Sequence, residues 1–212
     1  MAQKTAAEKR KLPSRLPGAD MAALRSSWIE RTKRNLSAEE QKGMGKRFFE
    51  LAWQGNMAVL EFQISRLEKA GIDTKPIMNA KDEHYVTVLM SAARGGFADI
   101  CGLLIEKGAD VNARDESGDT ALIYAASKGY AGICTLLIER GADANAKDNG
   151  GWTALHWAAS RGYTGICKLL AGSGAGAGCR NNDNKTAAEV AALHSHGETA
   201  AYLKYLEPGK AA

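Results

Sequence analysis

The residues in this chain that invite a chemical reading are its four cysteines, its histidines and a regular row of cations. Cys101, Cys134 and Cys167 are each 33 residues apart. Thiols at such a spacing raise the question of a disulfide or a zinc site. Equivalent positions in stacked helical units lie about 8–10 Å apart, whereas a disulfide needs Cα atoms within roughly 7 Å. Thiolates sharing a zinc ion, with Zn–S near 2.3 Å, would need sulfurs about 4 Å apart. Neither fits, so the three are expected to be small apolar fillers of a reducing environment; Cys179 falls outside the ladder and its state stays open. His156 is the histidine one would test for catalysis, but no nucleophile–base pair accompanies it. His194 and His196 are two residues apart and so do not share a helix face. With no Asp, Glu or Cys at matching spacing, they are not expected to bind a metal. The glycine-rich run Gly172-Ser-Gly-Ala-Gly-Ala-Gly178 lacks the Lys-Ser/Thr of a phosphate loop and reads as a flexible connector. No enzyme, cofactor or small-molecule substrate is expected.

Every one of these features sits on a repeat. Thr87, Thr120, Thr153 and Thr186 are 33 residues apart, as are Leu104, Leu137, Leu170 and Leu203, and Ala93, Ala126, Ala159 and Ala192. A fixed period shared by small residues, leucines and caps marks a stacked array, in which each unit buries its apolar face only against its neighbours. The cations Lys81, Arg114, Lys147 and Arg180 keep the same period, each followed by Asp82, Asp115, Asp148 or Asn181. Four bare cations would suggest phosphate binding; the adjacent acidic ladder largely cancels them and predicts a solvated edge.

The residues of one unit predict its structure. Asp115 and Gly118 mark a turn, the Asp by a local hydrogen bond and the Gly by its access to positive φ. Thr120 is placed to N-cap a helix beginning at Ala121-Leu122. Ala125-Ala126 allow close approach of a paired helix, and Gly129 breaks the first helix. Ile133, Leu136 and Leu137 form the stripe of a second helix, which Gly141 terminates.

Before the regular units, Ser37-Ala-Glu-Glu40 forms a capping box for a helix with Met44, Phe48, Leu51 and Ala52 on one face, ending at Gly55. A second helix is predicted from about Met57 to Lys69, with Leu60, Ile64 and Leu67 as its stripe and Gly71 as its left-handed cap. Gly55 and Gly96 are 41 residues apart rather than 33. The surplus divides between one extra turn in the second helix and a loop extended by about four residues, including Lys75-Pro76.

The whole chain of 212 residues is 45% hydrophobic and 25% charged, as expected of a globular protein. No run approaches the roughly 18–20 apolar residues of a membrane span, and the N-terminus lacks the apolar centre of a secretory signal. The net charge of +4 is uneven: residues 1–50 hold 12 Lys/Arg against 6 Asp/Glu, and the remainder 16 against 18. Residues 1–19 show no periodicity and read as a mobile basic tail; Asp20 N-caps a short helix carrying Met21, Leu24 and Trp28. The resulting division is a basic extension over 1–36, an array over 37–206 and a tail over 207–212. Within the array, a degenerate first unit spans 37–81, regular units span 82–114, 115–147 and 148–180, and a capping unit spans 181–206.

Gly118-Asp-Thr120-Ala-Leu122, Gly151-Trp-Thr153-Ala-Leu-His156-Trp-Ala-Ala159, and the pair Gly108-Ala-Asp-Val-Asn-Ala113 and Gly141-Ala-Asp-Ala-Asn-Ala146 resemble the ankyrin-repeat family. The likeness covers roughly 39–206. It departs from the family pattern where Ala or Val replaces Pro after each Thr, where Tyr85 replaces Gly, and where only His156 preserves the Thr-x-Leu-His pattern. The resemblance implies an all-α solenoid of helix-turn-helix repeats with β-hairpin-like loops. It gives His156 a structural bond to backbone, and it places partner binding on a concave groove of hairpin tips and first helices. Carried over, the tips are Glu83-His84-Tyr85-Val86, Glu116-Ser117-Asp119 and Asn149-Gly150-Trp152, and the helix ends are Arg94, Ser127-Lys128 and Ser160-Arg161. The expected site is Asp119, Tyr124, Lys128, Trp152, Trp157 and Arg161, with Trp152 projecting outward, Tyr124 stacked with Trp157, and aromatic and Arg side chains as anchors.

The function that follows is a non-catalytic adaptor or scaffold for a protein partner, inside the cell in cytoplasm or nucleus. The alternative is an accessory subunit of a nucleic-acid-containing assembly, its basic extension (Lys9-Arg-Lys11, Arg15, Arg25, Arg31, Lys33-Arg34) on phosphate.

Overall fold

The computed structural model describes residues 38–207. The basic extension, its helix beginning at Asp20, the Ser37 half of the capping box and the tail beyond 207 lie outside the described residues. Among those described, eleven helices follow one another: α1 (Ala38–Trp53), α2 (Met57–Lys69), α3 (Lys75–Met78), α4 (Val88–Gly95), α5 (Ala98–Glu106), α6 (Ala121–Lys128), α7 (Ala131–Glu139), α8 (Ala154–Ser160), α9 (Thr164–Gly172), α10 (Ala187–Leu193) and α11 (Gly197–Leu206). An inner row, α1, α4, α6, α8 and α10, packs each helix on the next, and α5, α7, α9 and α11 form an outer row in the same order. The chain is an all-α repeat solenoid.

Each regular unit starts as its residues dictate. The Thr87, Thr120, Thr153 and Thr186 hydroxyls accept the backbone N–H three residues on, capping α4, α6, α8 and α10. Each loop before them closes when the N–H of Asp82, Asp115, Asp148 or Asn181 donates to the carbonyl four residues later, at 3.1, 3.1, 2.8 and 3.0 Å. These are hairpin tips without strands; only the first and last also form isolated antiparallel bridges, Lys81 with Thr87 and Arg180 with Thr186. Each tip turns through positive φ at one residue: Tyr85 at 61°, Gly118 at 80°, Gly151 at 76° and Asn184 at 60°. Tyr85 thus adopts the left-handed conformation that glycine supplies elsewhere, at a steric cost of about 1–2 kcal/mol.

The core is continuous through all the units. Ala92 and Ala93, Ala125 and Ala126, and Ala158 and Ala159 are fully buried between inner helices, as are Leu104, Leu137, Leu170 and Leu203 between rows. Cys101, Cys134 and Cys167 are free thiols without solvent exposure. Burial pushes each thiol up to about 12, so they stay protonated and act as filler. Ala192, the fourth alanine of the ladder, is instead exposed, since no further unit among the described residues stacks on it.

Two expectations about irregular segments are corrected. The insertion after α2 is not merely a longer loop: Asp73 accepts the Lys75 N–H at 3.0 Å and Pro76 lies in the first turn of α3, which buries Ile77 and Met78. Proline starts a helix as readily as it breaks one. The run over 172–178 is likewise pinned rather than flexible. The Asn145 amide donates to the Gly174 carbonyl at 3.1 Å and accepts the Gly176 N–H at 2.8 Å, while Ala175 and Ala177 are buried.

That asparagine belongs to a ladder. Asn79 and Asn112 make the same two bonds one unit earlier each, to Gly108 O (2.9 Å) and Asp110 N (2.7 Å), and to Gly141 O (3.0 Å) and Asp143 N (2.8 Å). A second ladder corrects the solvated-edge expectation: Lys81, Arg114 and Lys147 each donate to the backbone carbonyl of the cation one unit on, Arg114, Lys147 and Arg180. The adjacent aspartates are not counter-ions to them, since their Oδ1 atoms accept the tip N–H groups. A third device uses the helix-breaking glycines. A Cβ at Gly55, Gly96, Gly129 or Gly162 would meet the ring of Phe97, Tyr130, Tyr163 or His196, at 2.4, 2.7, 3.0 and 2.5 Å. His196 is therefore a stacking residue, and its Nε2 also meets the Ser160 carbonyl at 3.2 Å.

Candidate functional site

His156 is enclosed by structure. Its Nδ1 lies 2.9 Å from the Thr153 hydroxyl and 3.3 Å from the Thr153 N–H, and its Nε2 lies 3.1 Å from the Lys185 carbonyl. It has no solvent exposure, and burial pushes its pKa down. In the second unit Met90 Sδ accepts the Thr87 N–H at 3.3 Å, so the cap tolerates a thioether where His156 stands. The ring joins one hairpin to the next, as the family pattern implies.

The inner helices present a different arrangement. Asp115 Oδ2 accepts the Tyr124 hydroxyl at 2.6 Å, and one unit on Asp148 Oδ2 accepts the Trp157 indole N–H at 3.0 Å. Each tip aspartate thus closes its own turn with one oxygen and fixes an aromatic ring of the following helix with the other. Tyr124 and Trp157 line one cleft of about 260 Å³ with Asp119, Lys128, Arg94, Ile123 and Ser127. Trp53, at the end of α1, is 56% exposed, and the Arg94 guanidinium lies 5.7 Å from the centroids of both Trp53 and Tyr124. Aromatic and cationic side chains therefore alternate across the inner row, with cation–π geometry.

Asp119 is the electrostatically unusual member. Its Oδ1 is sealed from water without a hydrogen-bond partner. Burial, then the charges of Asp115 and Asp148, push its pKa up to about 6, with Arg114 acting in the opposite sense. Burial and the hydrogen bond to Asp115 also raise the Tyr124 pKa, so the phenol remains a proton donor.

Of the six residues expected from the sequence, Asp119, Tyr124, Lys128 and Trp157 come together in this cleft. Trp152 does not project from its tip: its ring folds back to 4.9 Å from Trp157 and 6.1 Å from His156, so it backs the cleft wall from behind. Its apolar area finds a partner in Trp157 that the tip alone would not supply. The ring against Trp157 is accordingly Trp152, tilted by 42°, while Tyr124 is faced by Arg94. Arg161 is exposed at the end of α8 and outside the cleft lining. Ser160, expected to be exposed, is buried with its hydroxyl on the Trp157 carbonyl at 2.8 Å. Sequence reasoning missed Trp53; its place two residues before Gly55, equivalent to Arg94 before Gly96, was the available signal.

A stacked row of helix pairs, held by side-chain to backbone bonds between units and carrying an aromatic-walled cleft on its inner face, defines a helical repeat protein. The family model described as "Ankyrin repeats (3 copies)" matches residues 48–148 and 140–210. The chain belongs to the ankyrin-repeat family, whose repeats generally mediate protein–protein interaction. The comparison with curated proteins returns no match. No helix among the described residues is long and apolar enough to cross a membrane.

Proposed function

We propose that this protein is a non-catalytic adaptor or scaffold that binds a protein partner through the inner face of the array, centred on the cleft of Asp119, Tyr124, Lys128 and Trp157. Arg94 and Trp53 extend that surface toward the first unit, and Arg161 extends it beyond α8. The observation that carries this reading is the set of aromatic rings held at the inner face by the tip aspartates, Tyr124 on Asp115 and Trp157 on Asp148. Rigid aromatic side chains beside arginine are the groups that dominate interface energies. They bind at low entropic cost when their orientation is fixed beforehand.

The test is affinity capture with the full chain, its Lys128→Glu/Arg161→Glu variant, and an Arg140→Glu variant at the end of the outer helix α7. Lys128, Arg161 and Arg140 are all exposed, so the variants keep the fold. Partners lost with the inner-face pair and retained by Arg140→Glu support the proposal. The same proteins recovered by all three would refute it.

A further inference from the structure

We propose that the chain's own segment before Ala38, which lies outside the described residues, docks on the first hairpin tip. Trp28 fills the pocket between α1 and residues 80–83, and a backbone carbonyl of the segment accepts the Glu83 N–H. No residue of that pocket lines the Tyr124–Trp157 cleft, so this docking is independent of the groove.

The tips form a ladder of their own. The Glu116 N–H donates to the His84 carbonyl at 3.0 Å, Asn149 to Ser117 at 2.9 Å and Asn182 to Gly150 at 3.0 Å. Each tip thus offers a donor to the tip before it. Glu83 holds the matching place, four residues before Thr87 as Glu116 is before Thr120. Its N–H meets no acceptor among the described residues. The reason lies in α1. The helices α4, α6 and α8 begin eight residues before Gly96, Gly129 and Gly162, whereas α1 begins 17 before Gly55. The nine additional residues, 38–46, are helix where each later unit forms its tip.

A helix lends that edge no carbonyl, because its interior carbonyls are taken by its own N–H groups. What remains beside it is a pocket of about 810 Å³, walled by Gly43, Gly45, Phe49 and the chain from Ala80 to Glu83. The two walls touch at Gly45, where a Cβ would meet the Ala80 Cβ at 2.6 Å. At Gly43 a Cβ would meet nothing within 4 Å, so the space is open there.

Chain length, side-chain chemistry and charge name the occupant. Phe49 lies about 16 Å along α1 from Ala38 at 1.5 Å per residue. The ten residues from Trp28 to Ala38 span up to roughly 33 Å, enough to turn and run back. Trp28 is the largest apolar side chain before Ala38, and its ring offers area to Phe49 while its indole N–H reaches a polar rim. That rim is acidic: Glu50, Asp82 and Glu83 stand against Lys46 and Lys81. The Lys81 amine is already engaged, by the Arg114 carbonyl at 3.5 Å and the Tyr85 ring at 5.6 Å. Residues 1–36 carry nine Lys/Arg against three Asp/Glu, the complementary charge. The docked segment covers a backbone edge that would otherwise be a template for pairing with another chain. It also holds the basic extension against protein rather than leaving it to phosphate.

The test is NMR on the full chain and its Trp28→Ala variant, which leaves the array untouched. The expected result is nuclear Overhauser contacts from the Trp28 indole to the Phe49 ring and the Ala80 methyl, unchanged on dilution. The Glu83 amide should exchange at least about tenfold faster in Trp28→Ala than in the full chain, with the Glu116 amide unchanged as the control for the fold. A Trp28 indole without contacts to the pocket, or Glu83 exchange equal in the two proteins, would overturn the inference. Contacts that vanish on dilution would overturn it too, since they would place the segment of a second copy there.

Discussion

Replacing Asn145 by alanine tests whether side-chain bonds between units, rather than the apolar core alone, hold the second regular unit to the third. The side chain makes two neutral hydrogen bonds across that joint, 3.1 Å to Gly174 O and 2.8 Å from Gly176 N. A neutral hydrogen bond contributes about 0.5–1.5 kcal/mol net. The site is exposed, so water partly replaces the lost groups and the expected destabilisation is about 1–2 kcal/mol. For a domain of this size that corresponds to a fall in melting temperature of about 3–6 °C. Because stability in such arrays divides into unit terms and nearest-neighbour terms, the loss should fall on one joint, with the segment from α8 to α11 opening before the rest. Urea denaturation measures the total, and amide hydrogen exchange at Gly176 measures the joint: its N–H loses its acceptor in the variant and should exchange faster. A midpoint unchanged within about 0.3 kcal/mol, together with unchanged exchange at Gly176, would refute the argument and return residues 172–178 to the status of a loose connector.

Four further outcomes follow from the structure. Tyr85→Gly should stabilise the protein by about 1 kcal/mol in thermal or chemical denaturation, since it removes a bulky residue from left-handed backbone. Gly151→Ala should destabilise by at least about 1–2 kcal/mol in the same assays, because φ is 76° and the new Cβ would meet the Asn182 backbone nitrogen at 2.9 Å. His156 has its folded pKa held by burial below the ordinary histidine value of 6.5, so its contribution is present above that pH and is lost as pH falls through the folded pKa. His156→Met, borrowing the solution found at Met90, should flatten that acid loss in a stability–pH profile. Asp119 acts with the opposite sign. Its folded pKa is raised from 3.8 to about 6, so stability is greatest below the lower value and declines as pH rises through the upper one. Asp119→Asn should remove that decline and gain about 1 kcal/mol near neutral pH, discounted for partial solvent screening.

The period of threonines, alanines and leucines made the helix pairs, their caps and their core legible from sequence, because each of these depends on residues within one unit. The cysteines could be read as filler for the same reason. The asparagine and cation ladders could not: both sets lay in register, but their partners are backbone groups 29–33 residues away. Which carbonyl faces which side chain follows from the rotation of one unit on the next. Trp152 was misplaced because nothing local decides between solvent and a fold back onto Trp157; the second ring belongs to the next helix. The orphaned oxygen of Asp119 was hidden for a related reason, since its surroundings come from two hairpins and two inner helices. The short helix α3 looked like loop because Pro76 drew attention away from the apolar pair Ile77-Met78 that it serves to bury.

The cation ladder has a direction, and it ends. Lys81, Arg114 and Lys147 each reach the carbonyl one full period on, but Arg180 stays near its own hairpin, donating to the Asn184 carbonyl and to Glu189 at 3.1 Å. Beyond it Leu193 is 65% exposed. In polymer terms, 82–114 and 115–147 are monomers with compatible ends, each closing on a cation that reaches one period forward, whereas the Arg180 that closes 148–180 does not. A lengthened version of this protein should therefore be made by duplicating an internal monomer, which inherits a donor and an acceptor on both sides.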